Sequence, residues 1–205
     1  MAGSTRWPRA RRWSTLADAA PPIDRWLAEL DVAIVASTGE AGEVVFSRDL
    51  ALDGERRRDL QATVAWISGV GLSVWAYYGP AAEVPRRIYR RMLRANFDYP
   101  FVKFALTDDD RPMLMTELPA TGLDRDALGQ ALVRLVVVAD RLLDETAVAV
   151  AEHGVLPDWS GWAPRNVALV AAHRAEVEAT MPEWQPMPPA RRRRSLLARL
   201  LGTGR

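Results

Sequence analysis

VPRRIYRRMLRANFDYPFVKFALTDDDRPMLMTELP, residues 84–119, is the stretch whose reading decides the fold. From Pro85 onward Ile88, Tyr89, Met92, Leu93 and Asn96 share one face of a helix turning by about 100° per residue. Arg86, Arg87, Arg90, Arg91 and Arg94 take the opposite face. Tyr99-Pro100 predicts a corner, because the residue before a proline is pushed out of the helical region. Val102, Phe104 and Leu106 then alternate with Lys103 and Ala105, which reads as a strand. Asp108-Asp109-Asp110 is its turn, and Met113 to Leu118 is the return strand.

Two features of this stretch invite a functional reading. Three aspartates in a row would attract a hard cation, but a calcium loop spaces its carboxylates and adds a later glutamate. Adjacent in a short hairpin, they fit the local hydrogen bonding of a turn. The arginine face would dock phosphates or an acidic partner, with Arg87, Arg91 and Arg94 as the candidate contacts. The alternative is a solvated face whose arginine methylenes lie along an acidic body.

Upstream, Gln61 to Tyr78 reads as a hairpin: two β-branched and aromatic runs around Gly69 and Gly71. Both faces are apolar enough to need cover, one from helices and the other from a partner or a tail. Trp66, Trp75 and Tyr77 are the candidate partner contacts there. Before the hairpin, Ile23, Trp26, Leu27 and Leu30 mark a short helix opened by Pro22. Val32 to Val35 either continues that helix or begins a strand, Glu43 to Leu50 reads as an edge strand, and residues 53–59 (DGERRRD) as a loop.

Downstream, Asp124 is a suitable N-cap and Gly154 a suitable stop. Between them Leu128, Leu132, Leu135, Val136, Ala139, Leu143 and Val150 form a long apolar stripe. Such a helix would lie across a whole sheet or pair with its copy in a dimer, with Leu135, Val138 and Leu142 as candidate contacts. A loop carrying Trp159 and Trp162 follows, then a last helix from Asn166 to about Met181. After Pro182, Pro186, Pro188 and Pro189 comes the tail RRRRSLLARLLGTGR. Arg191, Arg192, Arg193 and Arg194 are its candidate contacts to an anionic surface, and Leu196, Leu197, Leu200 and Leu201 would make one amphipathic turn.

The totals exclude several classes of function. The chain has 205 residues and no cysteine, so disulfides, thiolate metal sites and cysteine nucleophiles are out. Its net charge of +1 hides a segregation: residues 1–20 hold four arginines against one aspartate, and residues 190–205 hold six arginines and no acid. The body between them is therefore acidic, which argues against a basic nucleic-acid-binding domain. Trp7 and Trp13 stand among the N-terminal arginines, and residues 1–22 read as a solvated tail. No apolar run follows those arginines as a secretory leader would need, and none approaches the ~20 residues of a membrane span. The expectation is a cytoplasmic protein. His153 and His173 have no metal-binding spacing, no serine sits in a nucleophile elbow, and no phosphate-binding glycine motif follows a strand. The residues therefore point away from an enzyme, from a bound cofactor and from a small-molecule substrate.

At residues 93–132 the chain resembles the YbjN family, especially its actinobacterial group related to type III secretion chaperones. The carrying residues are Leu93 and Asn96 closing a helix, Pro100-Phe101 and Lys103-Phe104-Ala105 opening a strand, the acidic turn, Glu117-Leu118-Pro119, and Leu123-Asp124 before an apolar helix. The aromatic strand Leu72 to Tyr78 just before the first of these helices also fits. The resemblance is good over residues 60–150 and only topological over 23–59. It implies an α+β fold, an antiparallel sheet with helices on one face in the order α-β-β-β-α-β-β-α, here with an extra C-terminal helix. It also implies a non-catalytic, chaperone-like or regulatory protein-binding role as a homodimer, with an unidentified protein client. The alternative is a peripheral adaptor that attaches to anionic membrane or nucleic acid through its C-terminal tail. The organisation expected is a basic tail (1–22), the α+β domain (23–154), a helical extension (155–189) and the arginine-rich tail (190–205).

Overall fold

A computed structural model describes residues 20–39, 44–79, 85–150 and 158–183. Four helices, α1 (Ile23–Glu29), α2 (Arg86–Asp98), α3 (Arg125–Val150) and α4 (Val167–Ala179), accompany six strands. The strands are β1 (Ile34–Thr38), β2 (Val44–Leu52), β3 (Leu60–Ile67), β4 (Gly71–Tyr77), β5 (Lys103–Leu106) and β6 (Pro112–Pro119). They form one antiparallel sheet in the order β1-β2-β3-β4-β6-β5. The class is α+β, as the sequence predicts, with one strand more than the expected order before α2.

That extra strand is β1. Leu30 ends α1, Asp31 takes a left-handed φ of 57°, and the β-branched Ile34 and Val35 then run extended along β2. Glu43 to Leu50, read as an edge strand, is therefore interior: β2 is flanked by β1 and β3. The edges are β1, exposed along its whole length, and β5.

The register sorts side chains onto two faces. Leu50, Leu52, Leu60, Ala62, Val64, Leu72, Val74, Ala76 and Leu114 all point to one face and are at most 2% exposed. Against them lies α3, whose Leu128, Leu132, Leu135, Val136, Val138, Ala139 and Leu142 are also buried. A helix apolar all round needs cover all round. Here the sheet supplies one side, and α1, α2 and α4 the other. The C-terminal helix shares this core: Leu169 and Val177 of α4 are at most 2% exposed.

Local chemistry fixes the elements where the sequence placed them. Asp124 caps α3, its carboxylate accepting the Ala127 N–H at 2.8 Å. The stop expected at Gly154 lies outside the described residues. Tyr99 ends α2 in extended geometry, and Phe101 follows with a φ of 65°, unusual for a bulky side chain. Asp110, at a φ of 59°, closes the β5–β6 turn, with its N–H donating to the Thr107 carbonyl at 2.9 Å. Thr107 Oγ1 donates to the Asp109 carboxylate, so that carboxylate serves the turn. Gly71 opens β4 at a φ of 125°, where a Cβ would meet the Leu118 carbonyl at 2.4 Å.

Asn96 ties α2 to β5. Its amide nitrogen donates to the Phe104 carbonyl at 3.0 Å and its amide oxygen accepts the Phe104 N–H. The side chain thus acts as a strand partner for one residue of β5. Asn96→Ala should cost about 2 kcal/mol, two neutral hydrogen bonds at about 1 each, read from denaturant unfolding. A loss below about 0.5 kcal/mol would mean that water replaces the amide. A second tie joins α1 to β2: Arg48 Nε and Nη2 donate to the Asp24 carboxylate at 2.7 and 3.0 Å. The hydrogen bond from Arg48 holds Asp24 below the usual carboxylate range. A depressed acid contributes stability above its unfolded pKa and loses it as pH falls through the folded one. Acidification should therefore loosen α1 only at pH values below those at which free aspartate titrates. A carboxyl NMR titration placing Asp24 at or above the free-aspartate value would rule this out.

Candidate functional site

The sheet face opposite α3 carries half-buried and exposed side chains around Ala65 and Ser73, which are buried on that same face. Trp75 on β4 stands opposite Met115 on β6, and Tyr77 opposite Met113. Ala105 and Lys103 of β5 continue the two rows beyond the methionines. On the other side, Thr63 of β3 is opposite Trp75 and Asp49 of β2 is opposite Thr63. Trp75, Met113 and Met115 are half-buried and Tyr77 is exposed, while none of the four belongs to the hydrophobic core. No described element packs over them. Arg111 lies 4.7 Å from the Tyr77 ring centroid, Lys103 is exposed at one margin and Glu117 at another. The result is an apolar stripe of two aromatic and two thioether side chains with a charged rim.

The sequence-predicted contacts fall in different places. Trp75 and Tyr77 lie on this open face. Trp66 does not: opposite Leu72 in the register, it points toward the helices and is 4% exposed. Leu135, Val138 and Leu142 are fully buried. They contact the chain's own core and are withheld from any partner, because α3 is covered on both sides. Met113 and Met115 were missed. They alternate with Leu114 and Thr116 and so read only as strand residues, and their place beside Trp75 depends on β4 pairing with β6.

The arginine face of α2 also divides. Arg87 and Arg94 are exposed, but Arg91 is 7% exposed and faces α3. Its Nε donates to the Glu145 carboxylate and its Nη1 to Asp98 at 3.2 Å. Arg91 is thus a core ion-pair residue and not a contact for an outside anion. The five-arginine grouping failed because Arg91 lies on the border of the wheel beside Ile88 and Ala95. Leu93, assigned to the inner face, is 68% exposed, and Phe97 one turn later is 93% exposed. Arg191, Arg192, Arg193 and Arg194 lie outside the described residues.

One buried polar site went unread. Asp140 sits midway along α3, and the 53–59 loop wraps its carboxylate. Oδ2 accepts the Glu55 N–H at 2.7 Å, while Oδ1 accepts those of Arg56 and Arg57 at 3.1 and 2.6 Å. Burial pushes this carboxyl above the ordinary range, against the lowering effect of the three N–H groups. Asp53, 1% exposed, holds the other end: its carboxylate accepts the Asp59 and Arg165 N–H groups at 2.8 and 2.9 Å. Asn166 accepts the Asp53 N–H at 3.1 Å. Nearby, Arg57 is 8% exposed, with its guanidinium carbon 5.8 Å from both the Tyr78 and Trp159 ring centroids. Burial lowers the Arg57 pKa and raises that of Tyr78, whose hydroxyl pairs with Thr146. The sequence signal for this site is a carboxylate closing the apolar run Leu135 to Ala139, a group that must find donors once that run is buried.

Among the described residues no group of three or more histidine, aspartate or glutamate side chains is placed to hold a metal ion. No described helix is long and apolar enough to cross a membrane.

Comparison with known proteins bears on this architecture. A chain of the heterodimeric ExoU-SpcU complex from the type III secretion system of Pseudomonas aeruginosa is similar in structure at 23% identity and a TM-score of 0.42, covering 60% of this chain and 95% of its own. No curated protein sequence matches this one. The family model YbjN, described as "Putative bacterial sensory transduction regulator", matches residues 23–147, from the first residue of α1 to near the end of α3. The chain belongs to the YbjN family.

Proposed function

We propose that this chain is a non-catalytic, chaperone-like protein-binding module that holds a segment of a client protein on the open face of its sheet. The observation that carries this reading is the stripe of Trp75, Tyr77, Met113 and Met115, which the register sets side by side and no described element covers. Aromatic and thioether side chains suit that task. Rings give large contact area for little lost rotamer entropy, and methionine adapts to varied apolar partners. The charged rim of Lys103, Arg111 and Glu117 would set the register of a bound segment. The family's description as a regulator is compatible with such a role.

The module works as a homodimer in the same reading. Leu93 and Phe97, one turn apart on the outer side of α2, form a second exposed apolar patch, and this is the surface assigned to self-association. The proposed unit runs from α1 through α4, since α4 shares the core.

Two full-length variants test the assignment. Trp75→Ser with Tyr77→Ser should leave the thermal midpoint within a few degrees, because neither residue belongs to the core, yet remove any protein that the wild type retains in affinity capture. An unchanged set of retained proteins would overturn the sheet-face reading. Phe97→Asp should lower the light-scattering mass from twice the 22.8 kDa chain to one chain. A wild type that is strictly monomeric would overturn the dimer.

A further inference from the structure

A cleft of about 520 Å³ opens between the C-terminal end of α1, the first turns of α3 and one side of α4. Glu29, Asp31, Asp126 and Glu176 line it against one guanidinium, Arg125. That guanidinium is already engaged, with Asp126 at 2.8 Å and Glu29 at 4.0 Å. Glu176 accepts a hydrogen bond from Gln130 at 2.9 Å, a neutral donor that leaves its charge uncompensated. The Asp31 side chain, exposed beside the left-handed turn after α1, has no partner among the described residues. The cleft thus gathers four carboxylates: Asp126 and Glu29 are paired with Arg125, and Glu29 also with Arg25 at 3.5 Å, while Asp31 and Glu176 have no cationic partner among the described residues.

His173 makes this more than an acidic cluster. It lines the same cleft and is 7% exposed, yet makes no hydrogen bond or ion pair with any described residue. Its ring lies over Gly129 of α3, where a Cβ would fall 2.4 Å from Nε2. The absent side chain at residue 129 makes the space the imidazole occupies. An imidazole with unused hydrogen-bonding capacity at a cleft wall is open to a ligand seated there. Ala168, Leu169 and Ala172 add an apolar strip beside it. Carboxylates for a cationic head, a flat ring for stacking and an apolar strip for methylenes together describe a site for arginine. A planar guanidinium can fork to two carboxylates and lie against a ring, which an ammonium cannot.

We propose that this cleft is the docking site of the chain's own basic segment, Arg191 to Arg194, within the same molecule. Four consecutive arginines complement the two carboxylates left without a cation, Asp31 and Glu176. The reach is sufficient. Arg191 stands eight positions after Glu183, a span of up to roughly 28 Å. The cleft-lining part of α4, Ala168 to Glu176, lies within about 17 Å of that helix's end at 1.5 Å per residue. Tethering keeps the segment at an effective concentration in the millimolar range, so several weak ion pairs suffice to hold it. The segment is then a self-ligand that a basic region of another protein would have to displace.

The test uses the full chain. His153 and His173 are its two histidines, so the imidazole NMR spectrum holds two ring systems, and His153→Gln assigns them. Replacing Arg191, Arg192, Arg193 and Arg194 together by glutamine should shift the His173 ring signals and leave those of His153 in place. A labelled peptide of residues 189–205 should bind this glutamine variant at least tenfold more tightly than it binds the wild type. Adding Asp31→Asn and Glu176→Gln should abolish that gain. Unmoved His173 signals, or equal peptide affinity for the two proteins, would overturn the proposal. So would a His173 shift that depends on protein concentration, which would place the segment on a second copy.

Discussion

Asp140→Ala should lower the unfolding free energy by about 3 kcal/mol, the loss of three hydrogen bonds to a carboxylate less what water restores. The arithmetic follows from burial. The Arg57 N–H is half-buried, so its donor would be left bare, whereas those of Glu55 and Arg56 are exposed and would turn to solvent. For a chain of this size the loss corresponds to a fall of about 6–12 °C in thermal midpoint. Gly54 gives an independent check, since a Cβ there would fall 2.3 Å from Asp140 Oδ2. Gly54→Ala should therefore destabilise the wild type and do so far less in the Asp140→Ala background, where the obstructing oxygen is gone. If Asp140→Ala costs under 1 kcal/mol, or the two effects add, the loop does not depend on the carboxylate.

The second large effect belongs to Arg91. Arg91→Ala removes the guanidinium from Glu145, whose side chain is 9% exposed, and from Asp98. Breaking a buried ion pair from one side costs about 3–5 kcal/mol, because the remaining charge stays in a poor solvent. Replacing both partners, Arg91→Leu with Glu145→Leu, should recover most of that loss. Denaturant melts of the two single variants and the double one would show it. A single-variant loss below 1 kcal/mol would mean that Arg91 faces water, and would restore it as a candidate for binding anions. By contrast, Arg87→Ala and Arg94→Ala, on the exposed side of α2, should each stay within about 0.5 kcal/mol of the wild type.

These two cases mark the boundary of what the sequence reveals. The β3–β4 hairpin, α2, the Tyr99 corner, the aspartate turn and the Asp124 cap were legible because each depends on neighbours a few residues away. β1 was ambiguous because it is short and exposed on both faces, and so shows no alternation. The open face was half legible. Trp75 and Tyr77 stand out in any strand, but Met113 and Met115 join them only through pairing across some 40 residues. For α3 the composition misled: an apolar stripe reads the same whether a partner or the chain itself covers it. Leu135, Val138 and Leu142 went to the chain itself once α1 and α4 were found on the far side. The Asp140 clamp was invisible as a unit, since it joins residues 83–85 positions apart.

The same clamp sets an order of events during synthesis. The loop between β2 and β3 is made early, but its two anchors are Asp140 on α3 and Arg165-Asn166 at the start of α4. Strands β2 to β4 have every partner they need for pairing among themselves long before either anchor leaves the ribosome. Until then the N–H groups of Glu55, Arg56 and Arg57 lack their carboxylate acceptor, and the apolar side of the young sheet is open to water. The nascent chain therefore passes through a stage in which it presents both faces of a hairpin sheet, and it needs shelter of its own before it can offer any to another protein.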